Sequence, residues 1–368
     1  MTFAVRNLLY DRLRLVLSVA GIALALMLVV LLNGLLNGMY VQVSAYLNHA
    51  PGTLVVAQSG ITNLLGATSV LPVDSESKVK QVDGVLMVTP ILSQFLVVDL
   101  HGRKQPVYLI GYDPSLGGGP WSLESGRAPQ TDSEIVFDSV LAERHGVSLG
   151  EEVELLGQRL TVSGLSADTT SWMTSFVFVS KGAAESLLRA PGATSFMLVT
   201  AETNVSDEEL AARLREVPGI EVLTTRTMVN NDLKLLSRFF SAPLRLMVGI
   251  AFLIGALVVG LVIYTATVER HREYGVLKAI GIRNRHLYRI VVAQALLTAG
   301  IGAVVGLGLA LLSGRVIETL RPQFLVAIEP DAVIWVLVGG LGMALLAALT
   351  PALLVARLAP SDVLRRAA

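Results

Sequence analysis

Four runs of the chain, residues 15–36, 246–268, 290–312 and 333–355, are each 22 or 23 residues long and contain no Asp, Glu, Lys or Arg. A helix rises about 1.5 Å per residue, so each run reaches roughly 33–35 Å, enough to cross a hydrocarbon core of about 30 Å with some tilt. Helices of a large soluble core rarely repeat that length four times. The composition agrees: 53% of the 368 residues are hydrophobic and 16% are charged, against roughly 25% charged in soluble domains. Four transmembrane helices are therefore expected.

Lys and Arg near short loops stay on the cytoplasmic side, which orients the spans. Arg6, Arg12 and Arg14 precede the first run. Arg270, Arg272, Lys278, Arg283, Arg285 and Arg289 lie between the second and third, and Arg357, Arg365 and Arg366 follow the fourth. The stretch 313–332 instead sets Arg315 and Arg321 against Glu318, Glu329 and Asp331. Both termini are expected in the cytoplasm of a bacterial cell, in its inner membrane. A cleaved signal peptide is the rival reading of the first run, but its apolar stretch exceeds a signal core of about 7–15 residues, and no small-x-small cleavage site follows directly. With no ionisable group in any run, coupling to protons or sodium lacks its usual carboxylate, His or basic group at membrane depth. The driving energy is expected to come from elsewhere.

Residues 37–245 differ in texture. Runs rich in Val, Leu, Ile and Phe at 53–58, 95–100, 106–110, 133–137, 152–156, 159–162 and 176–179 alternate with Gly, Asp and Pro, which predicts strands and turns. Helices are predicted at 139–145 and from Ser206 toward Val217, where Asp207, Glu208 and Glu209 suit a helix N-terminus and Pro218 with Gly219 stop it. The sum is a mixed α+β domain outside the cytoplasm. Gly117, Gly118, Gly119 and Pro120 form a turn or a mobile lip. Residues 37–48 and 225–245 are expected to extend the first and second spans as helical stalks. The partition is thus 1–14 as a cytoplasmic amphipathic lead-in, 15–36, 246–268, 290–312 and 333–355 as spans, 37–245 as the outer domain, 269–289 as a cytoplasmic loop, 313–332 as a short external loop and 356–368 as a cytoplasmic tail.

Familiar catalytic signatures are missing from the sequence. None of the six lysines (78, 80, 104, 181, 234 and 278) precedes Ser or Thr, so the Lys and hydroxyl pair of a phosphate-binding loop is lacking. His49, His101, His145, His271 and His286 have no metal-ligand spacing. There is no G-x-S-x-G elbow, no visible internal repeat and no cysteine, which removes disulfides and thiol chemistry. Zero formal net charge gives no reason to invoke nucleic acid. A non-catalytic chain without cofactor or metal is expected.

The loop after the second run reads Glu269-Arg270-His271-Arg272-Glu273-Tyr274-Gly275-Val276-Leu277-Lys278-Ala279-Ile280-Gly281. On a helix Val276, Leu277 and Ile280 share one face, while Arg270, Arg272, Glu273 and Lys278 keep the segment wet. Gly281 can end that helix in a left-handed conformation, and Asn284 can cap the next. An ordinary positive-inside loop against headgroups is the plain alternative. The pattern E-R-x-R-E-[YI]-G-V-L-[KR]-A-[IL]-G, however, resembles the corresponding loop of the FtsX and MacB permease family of ABC transporters, which docks into the ATPase subunit. The stretches FAVRNLLYDRLRLVLSVAG (3–21), TPALLVARLAPSDVLR (350–365) and EIVFDSVLAERHGVSLGEEVELLGQRLTVSGL (134–165) are similar to that family's lead-in, exit and MacB-type outer segments, so the likeness covers essentially the whole chain.

The resemblance implies a permease subunit with residues 269–281 as its ATPase-coupling element. ATP and magnesium would be held by a separate ATPase present in two copies, since MacB carries its ATPase ahead of the first span and this chain starts at the lead-in. It implies a second permease copy, most simply a homodimer, with a periplasmic adaptor as an optional partner. Gly34-x-x-x-Gly38 and Gly302-x-x-x-Gly306 permit close helix contacts without identifying an interface. Mechanotransmission follows: ATPase closure moves the loop, the spans tilt and the stalks rearrange the outer domain. The expected task is extrusion of a hydrophobic or amphiphilic cargo (drug, lipid, peptide or haem). An FtsX-like adaptor controlling a cell-wall hydrolase and a lipoprotein-releasing permease are the alternatives.

Overall fold

The computed structural model describes residues 12–171, 174–269, 284–331, 334–335, 338–342 and 344–346. The chain divides into two compact units, one helical (Met1–Gly38, Ser241–Arg321 and Leu325–Ala368) and one strand-rich (Met39–Phe240 with Pro322–Phe324).

The strand-rich unit contains β1 (Leu54–Gln58), β2 (Val85–Leu100), β3 (Arg103–Tyr112), β4 (Leu123–Gly126), β5 (Glu134–Asp138), β6 (Glu152–Leu155), β7 (Gln158–Ser166), β8 (Ser175–Ser180), β9 (Phe196–Ala201) and β10 (Ile220–Thr224). Their order is β10-β1-β9-β2-β3-β8-β5-β7-β4, with β6 paired to β7. β2 serves two neighbours in turn: Val85 to Ile91 pair with β9, and Leu92 to Leu100 pair with β3. β3 with β8 and β5 with β7 run parallel, and the other pairs are antiparallel.

Side chains alternate across a strand, and here both faces are covered. Val107 and Leu109 of β3, Val177 and Val179 of β8, and Ile135 and Phe137 of β5 enter one core. The alternate residues Tyr108, Ile110, Phe176, Phe178 and Val136 enter a second. On β1 and β9, Val55, Phe196 and Leu198 join that second core while Leu54, Val56, Met197 and Val199 enter a third. Burial on both faces is why these strands read as nearly continuous apolar runs.

Four short helices lie in this unit: α2 (Ser75–Lys80), α3 (Ser139–His145), α4 (Lys181–Leu187) and α5 (Asp207–Leu214). Asp138, Ser180 and Ser206 cap the last three by accepting from Leu141 N, Ala183 N and Glu209 N, satisfying amides that a helix start leaves open. α5 stops at Leu214, short of the predicted Val217. Bonds from Glu216 N to Arg213 O and from Val217 N to Leu214 O (both 3.1 Å) tighten the chain early, and Pro218 disfavours helical geometry at Val217.

Among the described residues three helices are long and apolar enough to cross a membrane: α1 (Arg12–His49), α6 (Thr225–Glu269) and α7 (Asn284–Leu320), numbered in chain order. The predicted fourth span, 333–355, is helical at 334–335, 338–342 and 344–346; the rest of it lies outside the described residues. In the helical unit Ala295, Ala299, Ala303 and Ala310 of α7 pack with Ile22, Leu26 and Val30 of α1, small residues against large ones, as membrane helices favour. A Cβ on Gly302 would meet Ile22 Cβ at 2.7 Å, and one on Gly306 would meet Ala23 O at 2.7 Å. A Cβ on Gly38 would overlap the Leu325 carbonyl, and Gly34 O accepts from Ala327 N at 3.0 Å. Both glycine pairs are thus used within the chain.

Candidate functional site

The coupling element predicted at residues 269–281 begins at Glu269, the last residue of α6. Arg270, Arg272, Glu273, Tyr274, Gly275, Val276, Leu277, Lys278, Ala279, Ile280 and Gly281 lie outside the described residues, as do residues 1–11 of the lead-in and the tail. The frame around the loop is described. α6 runs for 45 residues from the end of β10 to Glu269, its residues up to Phe240 belonging to the strand-rich unit and those from Ser241 to the helical one. Pro243 lies inside it, where the missing N–H and the ring loosen one turn. α1 is likewise continuous for 38 residues.

Two clasps tie helix residues into the strand-rich unit. The first is aromatic. Tyr46, 1% exposed, donates its hydroxyl to Gly118 O at 2.8 Å and stacks on Phe176 with centroids 5.6 Å apart, while His49 stacks on Trp121 at 5.0 Å. The Gly-rich stretch, a turn or lip in the sequence, is a packed turn. Gly117 and Gly118 adopt positive φ (81° and 84°), and a Cβ on Gly119 would strike the Tyr112 ring. Glycine is required there by conformation and by close approach.

The second clasp is Asp232, on α6 and 3% exposed. Its Oδ1 accepts from Leu64 N and Leu65 N (both 3.1 Å), and its Oδ2 accepts a longer bond from Leu64 N (3.3 Å). Asn231 Nδ2 donates to Thr62 O at 2.9 Å, and Tyr108 Oη donates to Leu64 O at 2.7 Å. Asp232 belongs to the strand-rich unit; the charged residues Arg226, Lys234, Arg238 and Arg245 place the uncharged part of α6 after it. Burial pushes its carboxyl up to about 6, opposed by the two amide donors. A native group titrating near 6 against 3.8 when free favours folding fully below about 3.8 and loses that contribution as pH rises through about 6. The wild-type chain should therefore gain about 1 kcal/mol from pH 7 to pH 5 relative to Asp232→Asn, read by denaturant titration at both pH values.

Asp138 is a third polar centre, which the sequence reading did not single out. Fully buried, it accepts from Leu141 N (2.9 Å), Thr169 Oγ1 (2.9 Å), Thr170 Oγ1 (2.9 and 3.0 Å) and Ser175 Oγ (3.1 Å). Desolvation raises its pKa and these donors oppose the rise. Every donor comes from this domain, so the carboxylate organises β5, α3 and β8 and shows no chemistry. The available signal was an Asp directly before a helix, with hydroxyls at 169, 170 and 175.

Of the described histidines only His101 and His145 adjoin, His101 Nδ1 lying 2.8 Å from His145 O. His101 Nε2 meets Glu151 Oε1 at 3.0 Å, His145 is buried, His286 is exposed on α7 and His271 lies outside the described residues. Among the described residues no group of acidic or His side chains can hold a metal.

Residues 15–217 match the family described as MacB-like periplasmic core domain, and residues 245–360 match the FtsX-like permease C-terminal family. An ABC transporter permease of Mycobacterium bovis is 24% identical over 312 residues, 84% of this chain and 84% of that one. A Staphylococcus haemolyticus protein named as the permease HrtB of a hemin transport system is 22% identical over 327 residues, 88% of this chain and 89% of that one. The crystal structure of the periplasmic region of MacB from Actinobacillus actinomycetemcomitans aligns over 50% of this chain and 94% of that one, with a TM-score of 0.38 and 14% identity. Long apolar helices, an α+β unit and the family and permease matches define an ABC transporter permease, a membrane protein and a non-catalytic transport subunit. The chain belongs to the FtsX/MacB-type permease family.

Proposed function

We propose that this permease couples ATP hydrolysis by a separate subunit to extrusion of a hydrophobic or amphiphilic cargo. Four helices cross the bacterial cytoplasmic membrane with both termini inside, and the strand-rich unit lies outside. Two permease copies bind two ATPase subunits, which hold ATP and magnesium, through residues 269–281. The observation that carries this reading is α6, one helix between the last strand of the outer unit and the first residue of the coupling element. α6 is hydrogen-bonded helix on each side of Pro243, and both clasps fix helix residues to loops of the strand-rich unit. On this reading a movement of the coupling element is passed along α6, and no open polar pore is required. The relatives named for hemin transport support haem as one member of the cargo class.

Membranes containing the permease together with an ABC ATPase subunit from the same cell test the reading. The two should purify together, and turnover should rise at least twofold with an amphiphile such as haem. Stimulation only by an external cell-wall hydrolase or by a lipoprotein would replace extrusion with the adaptor or release alternatives.

A further inference from the structure

Within the strand-rich unit a cavity of about 240 Å³ lies between α6 and the sheet. Leu65, Leu235, Leu236 and Val43 supply apolar wall, and Phe95 and Phe239, 50% and 68% exposed, stand among its lining. Asp232 is the carboxylate of that lining, and among the described residues no Lys, Arg or His lines the cavity. We infer that this cavity binds the apolar body of a hydrophobic monocation, an amine or a similar nitrogen base, and that Asp232 receives its charged head.

The argument is one of unmet charge. Asp232 Oδ1 takes both shorter amide bonds, while Oδ2 takes only the long one at 3.3 Å, leaving lone pairs that an ionised carboxylate normally fills. None of the ion pairs among the described residues includes Asp232. A buried carboxylate without a counter-charge is costly, and capping the 64–65 amides needs only a neutral oxygen. Thr174 Oγ1, on the same lining, is buried without a hydrogen-bond partner among the described residues. An ammonium group supplies both the charge and the donors, and its hydrogen bond to a carboxylate is of the stronger, charge-assisted kind. A neutral ligand of the same shape leaves the charge unmet, and an anion is repelled.

The inference deepens the extrusion reading for its amine-bearing cargoes, not for haem with its anionic propionates, and rests on that reading for the role of cargo, but binding can be measured without any ATPase. The full chain in lipid nanodiscs is titrated with 1-aminoadamantane and with 1-adamantanol by ligand-observed NMR, with protein-free nanodiscs as blank. The amine is expected to bind about tenfold tighter than the alcohol. Asp232→Asn, which keeps an acceptor for the 64–65 amides, should abolish that preference, and Leu236→Trp, which fills the cavity and spares the carboxylate, should abolish binding of both. Equal affinities, no binding of either probe, or a preference that survives Asp232→Asn would overturn the inference and leave the carboxylate as a loop cap alone. Leu236→Trp carries the test if Asp232→Asn does not fold. Failure of the extrusion reading has a different signature: the ATPase does not co-purify while amine binding persists.

Discussion

Glu273→Ala, Gly275→Val and Arg272→Glu are each expected to lower the rate of cargo extrusion about tenfold while leaving membrane insertion unchanged, the effect of roughly 1.4 kcal/mol on the rate-limiting barrier. Val276, Leu277 and Ile280 offer an apolar face at helical spacing, and Arg272 and Glu273 precede it with opposite charges. Reversing Arg272 turns an attraction to a charged groove into repulsion, and a branched side chain at Gly275 adds bulk where the pattern has none. Extrusion and ATP turnover are measured together in proteoliposomes. Loss of transport with retained ATPase activity is the expected outcome, and unchanged coupling in all three variants contradicts the assignment.

Asp138→Ala is expected to destabilise the strand-rich unit by about 3–5 kcal/mol, since it orphans the buried hydroxyls of Thr170 and Ser175 at about 1–3 kcal/mol each and removes a helix cap worth about 1 kcal/mol. Ser166 Oγ, 2.6 Å from Thr169 Oγ1 and 3.1 Å from Phe137 O, ties the network to the adjoining strand, so the loss is cooperative. Thermal unfolding of the purified chain should shift down by on the order of 10 °C. Asp138→Asn, which keeps an acceptor oxygen, should cost less. Equal stability of wild type and Asp138→Ala would show that the hydroxyls find other partners.

The readable parts of the fold are those governed by local rules. Charge-free length announces the long helices, and an acidic first turn announces α5. The 116–121 glycines announce a turn, while its packing depends on Tyr112 and Tyr46, close in space and distant or unmarked in sequence. β2 shows the limit most clearly. The pattern predicts strand at 95–100 but not at 85–91, because Pro90 argues against a strand interior; the strand tolerates it where its pairing passes from β9 to β3. β9 and β10 fall outside the predicted runs, although Phe196 to Val199 is a short apolar run buried on both faces and β10 alternates at Ile220, Glu221 and Val222.

The candidate sites divide the same way. Residues 269–281 stand out through a contiguous motif that resembles a family. Asp232 and Asp138 carry no contiguous signature: the first draws its partners from residues 64 and 65, and the second from 169, 170 and 175. Their environments arise only when the sheet forms.

The absence of native cysteine permits one direct measurement of the central claim. A benzophenone maleimide attached to the single thiol of a Val276→Cys variant is photolysed in membranes during ATP turnover, and the adducts are identified by mass. A covalent permease–ATPase product is the result this account requires. Photoproducts with lipid alone, or reaction of that engineered thiol with an impermeant reagent added outside intact cells, would contradict it.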